Sequence, residues 1–268
     1  EIQPMDIEEY LSFLTYYEKD GQVFQNHAEG KARKLATLNT FFGYFHKKEM
    51  IQKNAPSVVD VPRIKEKNII RMDANEVAQL IDNIESGEKL SKTQKVWHNK
   101  NKLRDLAIVV TLLGTGVRVT ELVGLDISDL DFDNGAMRVI RKGGNEDIVY
   151  FGEEAEEMLR NYLDERLTME PDPGHENALF ISQKNTRITV RSVERLVKKY
   201  ASTATAKKIT PHKLRSTYGT ALYQETGDIY LVADVLGHKN VNTTRKHYAA
   251  MKEENKRKAA QVVQLREK

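Results

Sequence analysis

The sequence has no cysteine among its 268 residues. Disulfides, thiol nucleophiles and cysteine-bound zinc sites are therefore excluded, which fits a reducing cytoplasm. Long apolar runs are also missing. The longest, LAIVVTLL at residues 106–113, is far shorter than the roughly 20 residues that cross a bilayer. Because no charged and then apolar leader opens the chain either, we expect a soluble, cytoplasmic protein with no membrane partner.

The length favours two domains, because 268 residues exceed one comfortable core. With 40% apolar residues, each domain can bury a core of its own. The chain begins EIQPMDIEEY without an initiator methionine, which suggests processing or a segment of a longer protein.

A large excess of one charge sign is missing as well, since the formal net charge is only +3. The charges are nevertheless segregated along the chain. Residues 184–215 hold ten Lys or Arg against the single acid Glu194, whereas Asp and Glu far outnumber Arg in residues 146–176. Two runs of opposite sign favour a polyanion-binding face and a separate acidic face.

Helical periodicity dominates the first part of the sequence. In residues 6–19 (DIEEYLSFLTYYEK), and again in residues 35–45, apolar side chains recur at the spacing of amphipathic helices. A stretch with two prolines and mixed charge follows at residues 54–68, which we interpret as a linker. The first domain is thus predicted to be a small helical bundle.

The second part of the chain is predicted to be mostly helical with one small hairpin. A lysine-rich stretch at residues 88–102 (EKLSKTQKVWHNKNK) is interpreted as a phosphate-contacting loop. The turns DNG and KGGNED flank β-type runs within residues 133–151. Helices are predicted at residues 72–84, 104–113, 153–166, 189–200, 210–225 and 228–236, with a charged, thinly striped helix at residues 252–268. The fold class is therefore mainly α with a small antiparallel hairpin or sheet, in two domains.

Two short motifs carry cationic side chains in settings that suit an anion. GTGVRVTEL places Arg118 after two glycines at the end of a helix, with Glu121 three residues later to orient it. TPHKLR puts His212 and Arg215 on one face of the first turn of a helix, beside the positive end of its dipole. Taken singly, each motif is more often a capping or surface feature.

A third motif, LGHKNVNTTRKHYAAM, contains His238 and, ten positions on, Tyr248. Tyrosines in helical segments are most often core residues with a hydrogen-bonded hydroxyl. The residues leading up to Tyr248 (TTRKH) do not suit a buried face. We therefore interpret this phenol as a reactive group surrounded by cations.

The order of these motifs along the chain is the specific signal. GTGVRVTEL, the hairpin lysine of RKGG, TPHKLRSTYGT, LGHKNVNTT and a final tyrosine together resemble the tyrosine recombinase family of phage integrase and Xer type. That family pairs a small helical core-binding domain with a larger catalytic domain. The resemblance implies a SAM-like core-binding domain at residues 1–66, a mostly helical catalytic domain at residues 67–251 and a docking helix at residues 252–268.

The resemblance also implies the active-site residues and their roles. Tyr248 would attack a DNA phosphodiester, expel the 5′ hydroxyl and remain linked as a 3′-phosphotyrosine. The arginines would bind the non-bridging oxygens, His212 would accept the tyrosine proton, and Lys142 would protonate the leaving oxygen. No metal and no cofactor is implied. The full implied set is Arg118, Lys142, His212, Arg215, His238 and Tyr248, with Glu121 in support.

The hairpin departs from the family pattern. Members often read glycine-lysine-glycine-asparagine-lysine there, whereas this chain reads RKGGNED and lacks the second basic residue. Lys142 keeps its assignment because it is the only lysine between Lys102 and Lys184.

The implied partner is double-stranded DNA with paired inverted half-sites. A homo-oligomer would bind it, as a dimer on each site and a tetramer in the synapse, through the C-terminal helix. The residues expected to contact DNA are Lys31, Arg33, Lys34, Lys95, Lys100, Lys102, Arg187, Arg191, Arg195 and Lys198. Integration, excision and chromosome dimer resolution remain open as roles, with a mobile-element integrase among them. A non-catalytic DNA-binding protein of the same fold and a type IB topoisomerase remain as alternatives.

Overall fold

The computed structural model of the protein describes residues 2–64, 70–238 and 241. The chain forms two compact units, which comprise residues 1–68 and 69–268. The finer domain limits expected from the sequence stay predictions, and the expected docking helix at residues 252–268 lies outside the described residues. Within those described residues, no helix combines the length and apolar character needed to cross a bilayer.

The first unit has a small core formed by its helices. Its elements are α1 (Pro4–Phe13), β1 (Tyr17–Lys19), β2 (Gln22–Phe24), α2 (Ala28–Lys47) and a 3₁₀-helix (Ala55–Val58). Ile7 and Leu11 of α1 are buried together with Leu14, Leu35 of α2 and Val59. The burial of Ile7, Leu11 and Leu35 agrees with the predicted amphipathic pattern, whereas Tyr10 and Phe41 of the same predicted stretches are 40% and 57% exposed.

The first helix is shorter than its periodicity predicts. It ends at Phe13 rather than near residue 19, and β1 and β2 form an antiparallel hairpin instead. The turn between them is Asp20-Gly21, in which both residues have positive φ values of 52° and 70°. Two-residue hairpin turns require such angles, so the Asp-Gly pair is the local signal that overrides the helical pattern.

The second unit contains the larger core, which is built around one long helix. Its elements are α3 (Ala74–Ser86), α4 (Lys92–Thr115), α5 (Val119–Gly124), a 3₁₀-helix (Ile127–Asp129), β3 (Leu130–Asp131), β4 (Ala136–Ile140), β5 (Glu146–Tyr150), α6 (Glu153–Arg166), α7 (Val190–Ala204), α8 (Pro211–Thr226) and α9 (Ile229–Val235). Residues 106–112 of α4 are all buried, and α4 packs against α3, α6, α7 and α8. The predicted fold class, mainly α with small antiparallel sheets, is confirmed.

The loop predicted for the lysine-rich stretch is wrong, because α4 already begins at Lys92. Ser91 caps this helix: its hydroxyl accepts from the Gln94 N–H (3.3 Å), and the Gln94 side chain accepts from the Ser91 N–H (3.0 Å). This reciprocal pair is a capping box and offsets the polar composition of the first turns. Lys95 and Lys100 are consequently exposed on a helix rather than on a loop.

A three-stranded antiparallel sheet, ordered β3-β4-β5, carries the predicted lysine hairpin. Met137 and Val139 of β4 face the core, whereas Ile140 is exposed, so the strand alternates with period two. β4 and β5 are joined by the β4–β5 turn (residues 141–145), in which two successive glycines have positive φ values of 102° and 84°. The predicted hairpin is therefore present, with Lys142 in its turn.

Two helices and a glycine turn end the described part of the second unit. Thr210 and Pro211 occupy the N-cap and first position of α8, as predicted, although the Thr210 hydroxyl makes no capping bond. Gly237 follows α9 with φ of 57°, in agreement with the predicted stop. As a result Arg215 of α8 lies close to the backbone turn that follows α9.

Candidate active site

The connection between α4 and α5 fixes the position of Arg118. After α4 ends, Gly116 adopts a left-handed conformation with φ of 64°. A Cβ atom on this residue would lie 2.4 Å from the ring of Tyr218 and 2.9 Å from Leu236, so the connection requires glycine. Two residues later Arg118 occupies the N-cap of α5.

The Arg118 guanidinium joins two backbone turns. Its NH1 group donates to Glu121 Oε1 (2.7 Å), and its NH2 group donates to the Gly237 carbonyl oxygen (3.1 Å). The Arg118 backbone N–H donates to the other oxygen of Glu121 (2.7 Å). About a third of the Arg118 side chain, 34%, remains exposed, so this charge can still meet a ligand from solvent.

Arg215 joins the same two turns from the protein interior. Only 4% of this residue is exposed. Its NH1 group donates to the Gly116 carbonyl oxygen (2.5 Å), and its NH2 group donates to the Leu236 carbonyl oxygen. The two arginines therefore both bond to one pair of turns, the α4–α5 connection and the Leu236–Gly237 segment.

Glu121 is the acid that orders this cluster. Its side chain is 2% exposed, and its two oxygens accept from Arg118 and from Arg141, whose NH1 group lies 3.0 Å from Oε2. Burial alone would raise the pKa of the Glu121 carboxyl. Hydrogen bonds from the Arg118 backbone and guanidinium, together with the charge of Arg141, outweigh burial and place the pKa below its ordinary value. Glu121 is thus an anion that holds both cations in place.

A cleft of about 820 Å³, here named the arginine cleft, lies between the β4–β5 turn and the end of α9. Three residues implied by the sequence line it together: Arg118, Lys142 and His238. The other lining residues are Arg141, Gly143, Asn145, Glu146, Asp147, Ala233, Asp234 and Gly237. Non-local contacts therefore bring together residues that are up to 120 positions apart in sequence.

Two predicted site residues, His212 and Tyr248, are not among the described residues that line the arginine cleft. His212 is exposed on the first turn of α8, three residues before Arg215. Its role as proton acceptor stays a prediction. Tyr248 lies outside the described residues, so its role also stays a prediction.

Sequence reasoning missed Arg141 as a member of this cluster. Its side chain is only 11% exposed and reaches Glu121, Asp147 and the Val235 carbonyl oxygen. The alternation along β4 is a signal that could have identified it, because position 141 follows the core-facing positions 137 and 139 in the same phase.

Two buried tyrosines of the second unit serve structural purposes. The Tyr200 hydroxyl donates to Asp105 Oδ2 (2.9 Å) and also lies 3.0 Å from His98 Nδ1. Because the hydroxyl proton is directed at Asp105, His98 Nδ1–H is the donor in the second contact. Burial, with the nearby Asp105 charge, raises the pKa of Tyr200. Burial likewise raises the pKa of Tyr162, whose hydroxyl accepts from the Ile181 N–H. A neutral, buried phenol of this kind is a poor nucleophile.

Four of the ten predicted DNA-contacting residues lie in or just before α7, and they fall into two groups. Arg191, Arg195 and Lys198 are exposed along α7, as a DNA-facing helix surface requires. The Arg187 guanidinium instead donates to the carbonyl oxygens of Val123 and Leu125 and pairs with Asp126. Arg187 thus holds the end of α5, and its contact with DNA stays a prediction.

Comparison with known proteins agrees with this geometry. Residues 70–255 match the model of the phage integrase family. The tyrosine recombinase XerC of Syntrophus aciditrophicus (strain SB) is 33% identical over 229 residues, which cover 81% of this chain and 68% of that protein. About a third of that relative therefore lies outside the match.

Solved structures of similar fold include a recombinase and a transposon integrase. The crystal structure of XerA recombinase has a TM-score of 0.59 at 29% identity, covering 96% of this chain and 84% of that one. The Tn1549 transposon integrase in complex with transposon right end DNA has a TM-score of 0.71 at 23% identity, covering 96% and 86%. The chain therefore belongs to the phage integrase family and is an enzyme of the tyrosine recombinase class.

Proposed function

We propose that this protein is a site-specific DNA recombinase that cleaves and rejoins DNA through a covalent 3′-phosphotyrosine at Tyr248. The observation that carries the proposal is the arginine cleft, where Arg118, Lys142 and His238 share one cavity and Arg215 bonds to the same two turns as Arg118. Such preorganised donors stabilise charge that develops on a phosphoryl group.

The acids that also line the cleft do not oppose an anionic ligand as strongly as their number suggests. Asp147 pairs with Arg141 (2.9 Å), and Glu146 lies 3.5 Å from Arg138. These two carboxylates thus have a cationic partner within the hairpin, and Asp234 is the third acid that lines the cleft. Lys142 and the exposed third of the Arg118 side chain are cations that a phosphate in the cleft would meet.

In the proposed reaction the Tyr248 oxygen attacks the phosphorus and the bond to the 5′ oxygen breaks. His212 accepts the phenol proton, and Lys142 gives a proton to the departing 5′ oxygen. The planar guanidinium groups of Arg118 and Arg215 match the non-bridging oxygens, and His238 adds a donor. The phosphotyrosine conserves the phosphodiester bond energy, so a 5′ hydroxyl of another strand can reverse the step without a cofactor.

Double-stranded DNA is the proposed partner. The exposed basic side chains of α7 and of the first turns of α4 support it, as does the DNA complex formed by the similar Tn1549 integrase. Paired inverted half-sites, a dimer on each site and a synaptic tetramer are proposed from the resemblance alone. Docking through residues 252–268 is proposed on the same basis.

The decisive test is covalent capture with Tyr248→Phe. A pool of nicked duplexes with a randomised core is incubated with the protein, and covalent products are resolved on denaturing gels and sequenced. We expect wild type to form an adduct and Tyr248→Phe to bind the selected DNA without forming one, because only the nucleophile is removed.

Tyr230→Phe is the matched control, since Tyr230 is 71% exposed on α9. It should form adducts at the wild-type rate. An adduct that persists in Tyr248→Phe would contradict the proposed nucleophile. Absence of any adduct with wild type, despite DNA binding, would favour a non-catalytic DNA-binding protein. Joining of two duplexes, rather than relaxation of one supercoiled circle, separates recombination from topoisomerase activity.

A further inference from the structure

The side chain of Arg141 connects three elements around the arginine cleft. Its Nε donates to Asp147 Oδ2 (2.9 Å), its NH1 donates to Glu121 Oε2 (3.0 Å), and its NH2 donates to the Val235 carbonyl oxygen (3.2 Å). These acceptors belong to β5, to α5 and to the end of α9. One guanidinium therefore links the hairpin to both elements that hold Arg118.

The packing around Arg141 is as close as its hydrogen bonding. A Cβ atom at Gly237 would lie 2.9 Å from both Cζ and Nε of Arg141, so the guanidinium lies against the bare backbone of that glycine. The Gly237 carbonyl oxygen accepts from Arg118, and Glu121 bridges the two arginines. Arg141, Glu121, Arg118 and Gly237 thus form a closed ring of contacts.

The backbone of Arg141 also starts the turn that carries Lys142. Its N–H donates to the Asn145 carbonyl oxygen (2.7 Å), and its carbonyl oxygen accepts from the Gly144 N–H (3.0 Å). Beyond this anchor the turn contains Gly143 and Gly144, at which an added Cβ would meet nothing within 4 Å. A short glycine turn without side-chain packing is held mainly by its ends.

We propose that Arg141 is the positioning residue that sets Lys142 over the leaving 5′ oxygen. The inference rests on the proposed function of Lys142 as proton donor. Arg141 follows the phase of the core-facing side of β4, so its side chain is fixed inward while the next residue, Lys142, is exposed and lines the cleft. Proton transfer requires hydrogen-bonding distance, and loss of the anchor removes that geometry without removing the proton donor itself.

The test uses two forms of a selected substrate that differ by one atom. The scissile phosphate carries either the natural 5′ oxygen or a bridging 5′ sulfur. A thiol has a pKa of about 8.5, so it leaves without a proton donor, whereas an alkoxide does not. Single-turnover cleavage is measured for wild type, Arg141→Gln, Arg141→Lys and Lys142→Ala.

We expect Arg141→Gln to cleave the oxygen substrate about 10²-fold more slowly than wild type and the sulfur substrate within about threefold of wild type. Lys142→Ala should show the same selective rescue. The double variant should be no slower than Lys142→Ala alone, because both changes remove one step. Arg141→Lys keeps the charge beside Glu121 but not the three-way link, and we expect it to fall between wild type and Arg141→Gln.

Arg160→Gln is the matched control. Arg160 lies on α6, pairs with Glu156 (2.8 Å) and is half exposed, and it is not among the described residues lining the cleft. We expect wild-type rates on both substrates. Thermal unfolding of each variant accompanies the kinetics, and Arg141→Lys carries the test if Arg141→Gln does not fold.

Three outcomes would overturn the inference. If Arg141→Gln cleaves both substrates equally slowly, Arg141 supports the site as a whole rather than proton donation by Lys142. If Arg141→Gln cleaves the oxygen substrate at the wild-type rate, Arg141 has no role in cleavage. In both cases a rescued Lys142→Ala would leave the proposed function intact. If sulfur fails to rescue Lys142→Ala itself, the role of Lys142 is wrong and the inference falls with it.

Discussion

Arg118 and Arg215 are chemically alike, but they differ in burial and in how many backbone groups they hold in place. Arg215 is buried and supplies the hydrogen bonds of two backbone carbonyl groups, whereas Arg118 is one-third exposed and is held mainly by Glu121. A lysine retains the charge at either position but cannot donate in two fixed directions. The same substitution should therefore separate catalysis from stability.

We expect Arg118→Lys to lower the cleavage rate about 10²- to 10³-fold with little change in thermal stability. Arg215→Lys should lower the rate similarly and also lower the free energy of unfolding by about 1–3 kcal/mol, because a buried carbonyl loses its donor. Single-turnover cleavage and thermal unfolding check both expectations. Wild-type cleavage by both variants would show that neither arginine contacts the reacting phosphate.

Glu76 provides a pH-dependent contribution to stability. Its carboxylate accepts from Lys207 Nζ (2.6 Å) and from the Thr205 hydroxyl (2.6 Å), and its side chain is 17% exposed. Burial opposes ionisation, but the hydrogen bonds from Lys207, Thr205 and the Asp73 backbone outweigh it and lower the pKa from 4.5 to about 2. Because the pKa of Glu76 is lower in the folded protein, its ionised carboxylate stabilises the fold at pH values above its ordinary pKa of 4.5. This stabilisation is lost as the pH falls toward 2.

We therefore expect Glu76→Gln to lower the free energy of unfolding by about 1 kcal/mol at pH 7, since Lys207 is partly exposed and solvent screens the pair. The difference from wild type should shrink below about pH 4.5 and vanish near pH 2. Urea unfolding at several pH values measures it, with Glu157→Gln on the exposed face of α6 as control. Parallel stability curves at all pH values would contradict the assignment.

At the scale of elements, the turn after α4 can be compared with the turn after α8. Gly116 and Gly227 both end a helix in the left-handed conformation, with φ of 64° and 66°. An added Cβ at Gly227 meets nothing within 4 Å, whereas at Gly116 it would collide with Tyr218. We expect Gly227→Ala to cost about 1 kcal/mol of stability from the backbone conformation alone.

Gly116→Ala adds overpacking of about 1–3 kcal/mol to the same backbone cost and should also displace Arg118. Cleavage should then fall well beyond the loss of folded protein, whereas Gly227→Ala should cleave normally once folded. Thermal unfolding and active-site titration by covalent capture measure the two effects. Equal behaviour of the two variants would show that the turn tolerates a side chain.

The elements themselves were largely predictable, and the exceptions have local causes. Helices such as α6 and α7 follow the 3.6-residue period and have readable ends. The prediction failed at residues 88–102, where the lysine content suggested a loop but the Ser91–Gln94 capping box starts a helix. It also failed at the first hairpin, where the helical periodicity suggested a longer helix but Asp20-Gly21 forms a turn. In both cases a motif of two to four residues determines the local structure, although the surrounding composition or periodicity favours another one.

At the scale of the whole molecule, the sequence indicates candidate site residues but not how they are arranged. Motif order indicates Arg118, Lys142, Arg215 and His238, because each belongs to a short recognisable pattern. It does not indicate Arg141, whose three acceptors lie 6, 20 and 94 positions away. Such contacts depend on how the hairpin, α5 and α9 meet, which no local pattern encodes.

The two compact units have separate hydrophobic cores among the described residues. The large cluster around α4 draws only on the second unit, and the small cluster around Leu35 draws only on the first. We therefore expect residues 70–268 to fold alone and to unfold cooperatively, since domains with their own core can do so. Circular dichroism during thermal unfolding checks this expectation.

DNA binding should divide between the units in a way that salt dependence can measure. Removing the first unit removes Lys31, Arg33 and Lys34, and each lost phosphate contact should lower the slope of log affinity against log salt by about 0.9. The full chain with these three residues changed to Gln is the matched comparison. It should retain its fold, because Arg33 is exposed and the other two are not fully buried, and it should reproduce part of the slope change. If both proteins keep the full-length slope, the first unit contributes no phosphate contacts through these residues, and the basic surface of the second unit alone accounts for electrostatic binding.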